Sequence, residues 1–211
     1  MGAMTPQRLT IVTLTVAVLA VVALLVVPQL TSSAPQASAD VEFATQPRIG
    51  ASDAPVTVAV FEDWLCPSCA QFEANVMPTL KREYVDTGLV QLVVVDFLVI
   101  QGSDQVARLA ECVHQQSPEA YWEMKAPLFR AQAELRDPRR ARDLALTYAP
   151  GIDAGQLDGC LADPANLEPA RRDTQLAQSL SLTGTPSVLV NGTAVSPTLA
   201  EVRRAIDAAL P

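Results

Sequence analysis

The spacing of apolar and polar positions divides the chain into stretches of different period. Residues 9–30 carry no charge, and 11–27 are almost wholly Val, Leu, Ala, Ile and Thr. About twenty apolar residues can cross a bilayer as a helix. Arg8, the one positive charge before the run, favours an N-in, C-out orientation. Residues 31–48 are rich in Ser, Ala, Pro and Gln without an apolar face, which reads as a tether or an unstructured remnant. Val56 to Phe61 then reads as a buried strand. Phe72, Val76, Leu80 and Tyr84 follow at every fourth position, the face of a helix. Pro78 predicts a kink in that helix, and Gly88 a cap at its end. The next apolar run, from Leu89, predicts a central strand through about Phe97.

From Gly102 to Leu182 the period is helical. Ser117-Pro118, Asp137-Pro138 and Asp163-Pro164 each set a capping side chain before a proline at the first helical position. Ser103 and Asp153 are further cap candidates, giving about five helices. Val106, Leu109, Ala110 and Val113 form one core stripe, and Trp122, Ala126 and Phe129 another. Ser187 to Val190 reads as a strand, Asn191-Gly192 as a two-residue hairpin turn and Thr193 to Val195 as the returning strand. Ser196-Pro197 should cap a last helix with Leu199, Val202, Ile206 and Leu210 facing inward. The order is β-α-β, a helical block, then β-β-α.

Four cysteines lie beyond the apolar N-terminus, and Cys66-Pro67-Ser68-Cys69 stands where the first strand gives way to a helix. Two thiols so spaced can close a small disulfide. A helix beginning at Cys66 would stabilise its thiolate through free backbone N–H groups and the positive end of the dipole, and Pro67 suits the first helical position. Strand, C-x-x-C and helix together favour redox chemistry. The alternative is half of a zinc site completed by Cys112, His114 and Cys160, which lack the usual second spacing. The length of the apolar run favours an uncleaved anchor, while Ala37-Ser38-Ala39 before Asp40 fits a cleavage site. Either way the domain lies outside the cytoplasm, where disulfides persist. A formal net charge of −8 disfavours nucleic acid as a partner, and no flavin, metal or nucleotide motif is present, so no cofactor is expected.

Thr183-Gly184-Thr185-Pro186-Ser187 precedes the late strand, where a proline is tolerated and a cis X-Pro bond is compatible with a tight approach. With these two motifs the chain resembles the thioredoxin superfamily and, within it, the DsbA-like thiol–disulfide oxidoreductases, including the membrane-tethered bacterial forms. The resemblance runs from about Gly50 to Pro211. It is carried by Gly50 to Val58, by Phe61-Glu62-Asp63-Trp64-Leu65 leading into the C-x-x-C, and by Val95-Asp96-Phe97-Leu98. Tyr121-Trp122-Glu123-Met124 and Thr183 to Gly192 also carry it.

The resemblance implies an α/β thioredoxin fold interrupted by a helical insert. Residues 1–30 would be the transmembrane or signal segment, 31–48 the tether, 49–102 and 183–211 the two parts of the thioredoxin fold, and 103–182 the insert. It implies Cys66 as the attacking thiol, Cys69 as its buried partner, a cis Pro186, and Thr185 beside the disulfide holding a substrate chain. Pro67 and Ser68 tune the site without adding charge. The chain departs from the pattern at Val60, where relatives often place a buried carboxylate that moves a proton at the second thiol. Glu62 and Asp63 are nearer in sequence, but the spacing alone does not aim them at Cys69. A proline common after the Asp-Phe pair is also replaced, by Leu98.

Cys112 and Cys160 should be bonded to each other in an oxidising compartment, with a second exchanging pair as the alternative. His114 is expected on a solvent-facing helix surface. The expected activity is that of an extracytoplasmic, monomeric dithiol oxidase acting on unfolded or reduced exported proteins. A quinone-linked membrane partner would reoxidise it, and the N-terminal helix would hold it to the membrane. A tethered reductase or isomerase on the same fold is the first rival, and a non-catalytic peptide-binding chaperone the second.

Overall fold

The structure is a computed structural model that describes Phe43 and residues 45–211. The expected membrane segment and most of the tether lie outside the described residues. Among those described, no helix is long and apolar enough to cross a membrane.

Among the described residues, five strands form one sheet in the order β1-β3-β2-β4-β5, with β1 at Arg48–Ile49, β2 at Val56–Glu62, β3 at Val90–Asp96, β4 at Ser187–Val190 and β5 at Thr193–Val195. β2 and β3 are parallel, Val56 beside Val90 through Glu62 beside Asp96, and the other pairs are antiparallel. The helices are α1 (Pro67–Asn75), α2 (Met77–Leu80), α3 (Ser103–Gln116), α4 (Pro118–Arg130), α5 (Pro138–Tyr148), α6 (Ala154–Ala162), α7 (Glu168–Ser179) and α8 (Leu199–Ala209). The kink expected at Pro78 is a break at Val76 between α1 and α2, followed by a wider π-type turn over Lys81–Val85. Proline has no N–H to continue the ladder.

Alternation along the central strands serves both faces of the sheet. Val56, Val58 and Val60 join the larger core, where Phe72, Val76, Leu80 and Tyr84 pack with the helices of the insert and with Val202 and Ile206 of α8. Ala59, Phe61, Val93, Val95 and Phe97 face the other way onto Ala177 of α7. Ordered packing begins earlier than the apolar pattern places it. Phe43 meets Phe61 edge-on at 6.4 Å between ring centroids, and Arg48 pairs with Val93 in β1. Gly50 follows at φ +104°, and a Cβ there would lie 2.4 Å from the Val90 carbonyl oxygen. Only glycine fits that approach.

Most caps fall where the sequence places them. Ser117 accepts from the Ala120 N–H, Asp137 from Arg139, Asp153 from Gln156 and Asp163 from Ala165. Two differ. The last helix is capped by Thr198, whose hydroxyl accepts from the Glu201 N–H, rather than by Ser196-Pro197. Ser103 is already inside α3, and its hydroxyl donates to Asp63. Asn191 and Gly192 take φ values of 45° and 78°, the left-handed pair a tight hairpin needs.

Candidate active site

Cys66 terminates the loop after β2 and is the N-cap of α1, with Pro67 in the first turn. This arises from the chain itself: proline is preorganised for helix entry, and the Cys66 carbonyl accepts from the N–H groups of Cys69 and Ala70 at 3.1 Å each. Both active-site thiols are unbonded, so the geometry is that of the dithiol form. Cys66 is 7% and Cys69 1% exposed, whereas Pro67 and Ser68 face solvent. The Thr185-Pro186 peptide is cis, and the Cys66 thiol donates to the Thr185 carbonyl at 3.3 Å. The fold thus brings together Cys66, Pro67, Ser68, Cys69, Thr185 and Pro186, from two motifs more than a hundred residues apart.

Behind Cys69 lies a charge cluster that the sequence pattern did not reveal. Lys125 of α4 donates to Glu62 of β2 at 2.9 Å and to Glu73 of α1 at 2.5 Å, and all three side chains are buried. Side chains two apart on a strand share a face, so Glu62 points the same way as Val60. A carboxylate therefore lies on the face of β2 that Val60 shares, two positions nearer the cysteines than the resemblance led us to expect one. Its Oε1 has no hydrogen-bond partner among the described residues. Burial pushes the Glu62 carboxyl up to about 7 against the pull of Lys125, and the Glu73 charge adds to the rise. Burial also drives the Cys69 thiol far above its ordinary value, with the Glu62 charge adding to the effect. The Asp63 backbone and the Thr185 hydroxyl pull that thiol the other way. The signal for this cluster was available. Lys125 sits among Tyr121, Trp122, Leu128 and Phe129, and a lysine on a buried stripe needs carboxylate partners.

Asp63 is fully buried and satisfied. Its carboxylate accepts from the N–H groups of Leu65 (2.8 Å), Val99 (2.8 Å) and Ile100 (2.9 Å) and from the Ser103 hydroxyl (2.8 Å). It ties the active-site loop to the segment after β3. Within the insert, Cys112 of α3 and Cys160 of α6 form a disulfide, with Cα atoms 5.8 Å apart. His114 is half-buried with its ring edge-on to Tyr121 at 5.5 Å, not turned to solvent as expected, and burial lowers its pKa.

A thioredoxin family model matches residues 42–208. The chain belongs to the thioredoxin family. Within it the chain is a DsbA-like thiol–disulfide oxidoreductase. It is 34% identical over 170 residues to the Bacillus anthracis protein named Probable disulfide bond formation protein D, covering 78% of each chain. Against disulfide bond formation protein D of Bacillus subtilis it is 30% identical over 151 residues, covering 69% of this chain and 68% of the other. Among solved structures, oxidised BdbD from Bacillus subtilis superposes with a TM-score of 0.71 at 27% identity, over 78% of this chain and 92% of that one. Chlamydia trachomatis DsbA superposes with a TM-score of 0.72 at 25% identity, over 83% and 95%. This DsbA-like oxidoreductase keeps the mixed α/β thioredoxin fold of those structures, with its helical block between β3 and β4.

Proposed function

We propose that the protein is an extracytoplasmic dithiol oxidase that introduces disulfides into exported proteins through Cys66 and Cys69. The observation that carries this reading is the pairing of a helix-capping Cys66, 3.3 Å from the carbonyl before cis-Pro186, with a buried Cys69 backed by Glu62. In the oxidised enzyme a client thiolate attacks Cys66 Sγ. A client–Cys66 bond forms, the Cys66–Cys69 bond breaks, and the electron pair leaves on Cys69. Cys69 is strongly biased toward the thiol, so it takes a proton, and Glu62 is the acid poised to supply it near neutral pH. A second client thiolate then attacks the client sulfur of the mixed disulfide. The oxidised client departs, and Cys66 is left as a thiolate at the N-terminus of α1, where the dipole stabilises it as a leaving group.

Reoxidation runs the same steps backwards: Cys66 attacks a partner disulfide, and Glu62 accepts the Cys69 proton as Cys69 resolves the intermediate. The step requires a partner that presents a disulfide, and the proposal assigns that role to a quinone-linked membrane protein. Residues 9–30 would hold the domain at the outer face of the membrane. The homologues named for disulfide bond formation support the oxidising direction. Cys69→Ala tests the reading, because Cys66 can then form the mixed disulfide but cannot be resolved. Loaded as a mixed disulfide between Cys66 and a small aromatic thiol, it should exchange that thiol for reduced, unfolded client proteins and accumulate covalent adducts, and Cys66→Ala treated in the same way should accumulate none. Clients retained equally by Cys66→Ala, without any exchange, would instead identify a peptide-binding chaperone.

A further inference from the structure

The backbone of the active-site loop carries polar groups that must find partners, and one comes from outside the thioredoxin fold. Gln132 opens the short 3-10 turn after α4, in the helical insert. Its carboxamide nitrogen lies 2.9 Å from the Trp64 carbonyl oxygen and 2.9 Å from that of Cys66. That nitrogen has two hydrogens, one for each acceptor. The Cys66 carbonyl already accepts from Cys69 and Ala70, so Gln132 adds a third donor to the residue that bears the attacking sulfur. The same stretch of insert grips the loop by its rings: Trp64 stacks on Phe129 with centroids 5.0 Å apart and meets Tyr121 edge-on at 6.0 Å. Asp63 fixes the opposite side of the loop, through Val99, Ile100 and Ser103.

We propose that Gln132 is a positioning residue for Cys66, through which the helical insert sets the reactivity and redox equilibrium of the dithiol. A carbonyl oxygen carries partial negative charge, and two of them flank the sulfur's own stretch of backbone. Donation from Gln132 offsets that charge and holds both carbonyls turned toward the insert. Without it the Trp64 carbonyl loses this donor and the Cys66 carbonyl keeps only its two helical ones, so more uncompensated negative charge lies near the Cys66 sulfur, which disfavours the thiolate and so the reduced enzyme. The insert thereby acts on the electronics of the site as well as on its walls. This rests on the dithiol chemistry proposed above, but it concerns the Cys66 thiol itself and holds for either direction of electron flow.

The test is Gln132→Met in the full chain, which keeps the length and removes both donors, read beside Gln132→Lys, which restores donors on a flexible stem. Two quantities are measured: the rate of Cys66 alkylation by iodoacetamide in the reduced protein at pH 7, and the equilibrium of the Cys66–Cys69 pair with glutathione. Gln132→Met should alkylate about fivefold more slowly and shift the equilibrium about fivefold toward the disulfide, the scale of one hydrogen bond's net worth. Gln132→Lys should return both to the wild-type value or beyond it. Should Gln132→Met not fold, Gln132→Glu, with a carboxylate facing the two carbonyls, should show the same two shifts, and larger. A purely structural role predicts equal loss of urea stability in the oxidised and reduced forms, with alkylation and equilibrium within twofold of wild type. That result would overturn the proposal.

Discussion

Cutting the Cys112–Cys160 bond measures how much the insert depends on it. The bond closes a sequence separation of 48 between α3 and α6. In the chain-entropy model a loop of that length is worth about 4 kcal/mol at 25 °C. Little else holds α6 in place: Leu157 is its one fully buried residue, with Cys160 and Leu161 half-covered. Cys112 is wholly buried, so its replacement by alanine leaves a small gap rather than an exposed surface. Cys112→Ala/Cys160→Ala should therefore lose about 4 kcal/mol in urea unfolding and about 10 °C in Tm. Hydrogen-exchange protection should fall first in α6, while the Cys66–Cys69 pair still exchanges disulfides at 25 °C. A loss under about 1 kcal/mol, or one spread evenly over sheet and insert, would show that packing rather than the crosslink holds α6.

Glu62 gives stability a pH dependence of unusual sign for a carboxylate. Its folded pKa of about 7 lies above the ordinary 4.5, so its contribution is fully present below about 4.5 and is lost as pH rises through about 7, a span of about 3 kcal/mol. Asp173, pushed up to about 6 by burial, acts in the same direction. Urea unfolding of the reduced protein from pH 4.5 to 8 should follow this slope, and Glu62→Gln should flatten it. The same variant should slow the resolving attack by Cys69 by about a hundredfold while leaving the first attack by Cys66 intact. A variant with the wild-type slope and rate would remove Glu62 from the mechanism. Asp63→Ala removes the acceptor of four donors, two of them buried and two part-buried, and should cost about 4 kcal/mol in unfolding; a cost under about 1 kcal/mol would mean that the loop repacks without its anchor.

Much of this architecture was legible because its signals are local. The run at Val56 to Phe61, the four-residue spacing from Phe72 to Tyr84 and the Asn191-Gly192 turn each state their element within a few residues. The dithiol and the cis proline were legible as motifs, although only the fold places them together. What escaped depends on partners distant in sequence. The two-residue strand at Arg48–Ile49 exists because β3 offers an edge to pair with, and nothing in its own residues announces it. Glu62 reads as a strand-end charge until Lys125, 63 residues later, arrives to meet it. Ser103 and Ser196 both look like helix caps, yet Asp63 claims the first, and Thr198, two residues on, takes the role of the second.

The account stands most directly on the reduction potential of the Cys66–Cys69 pair, measured by equilibration with glutathione with Cys112–Cys160 intact. An oxidase with a dipole-stabilised Cys66 thiolate should lie toward the oxidising end of the known range, near −120 mV. A value near −270 mV would make the protein a reductase and contradict the proposed direction of electron flow.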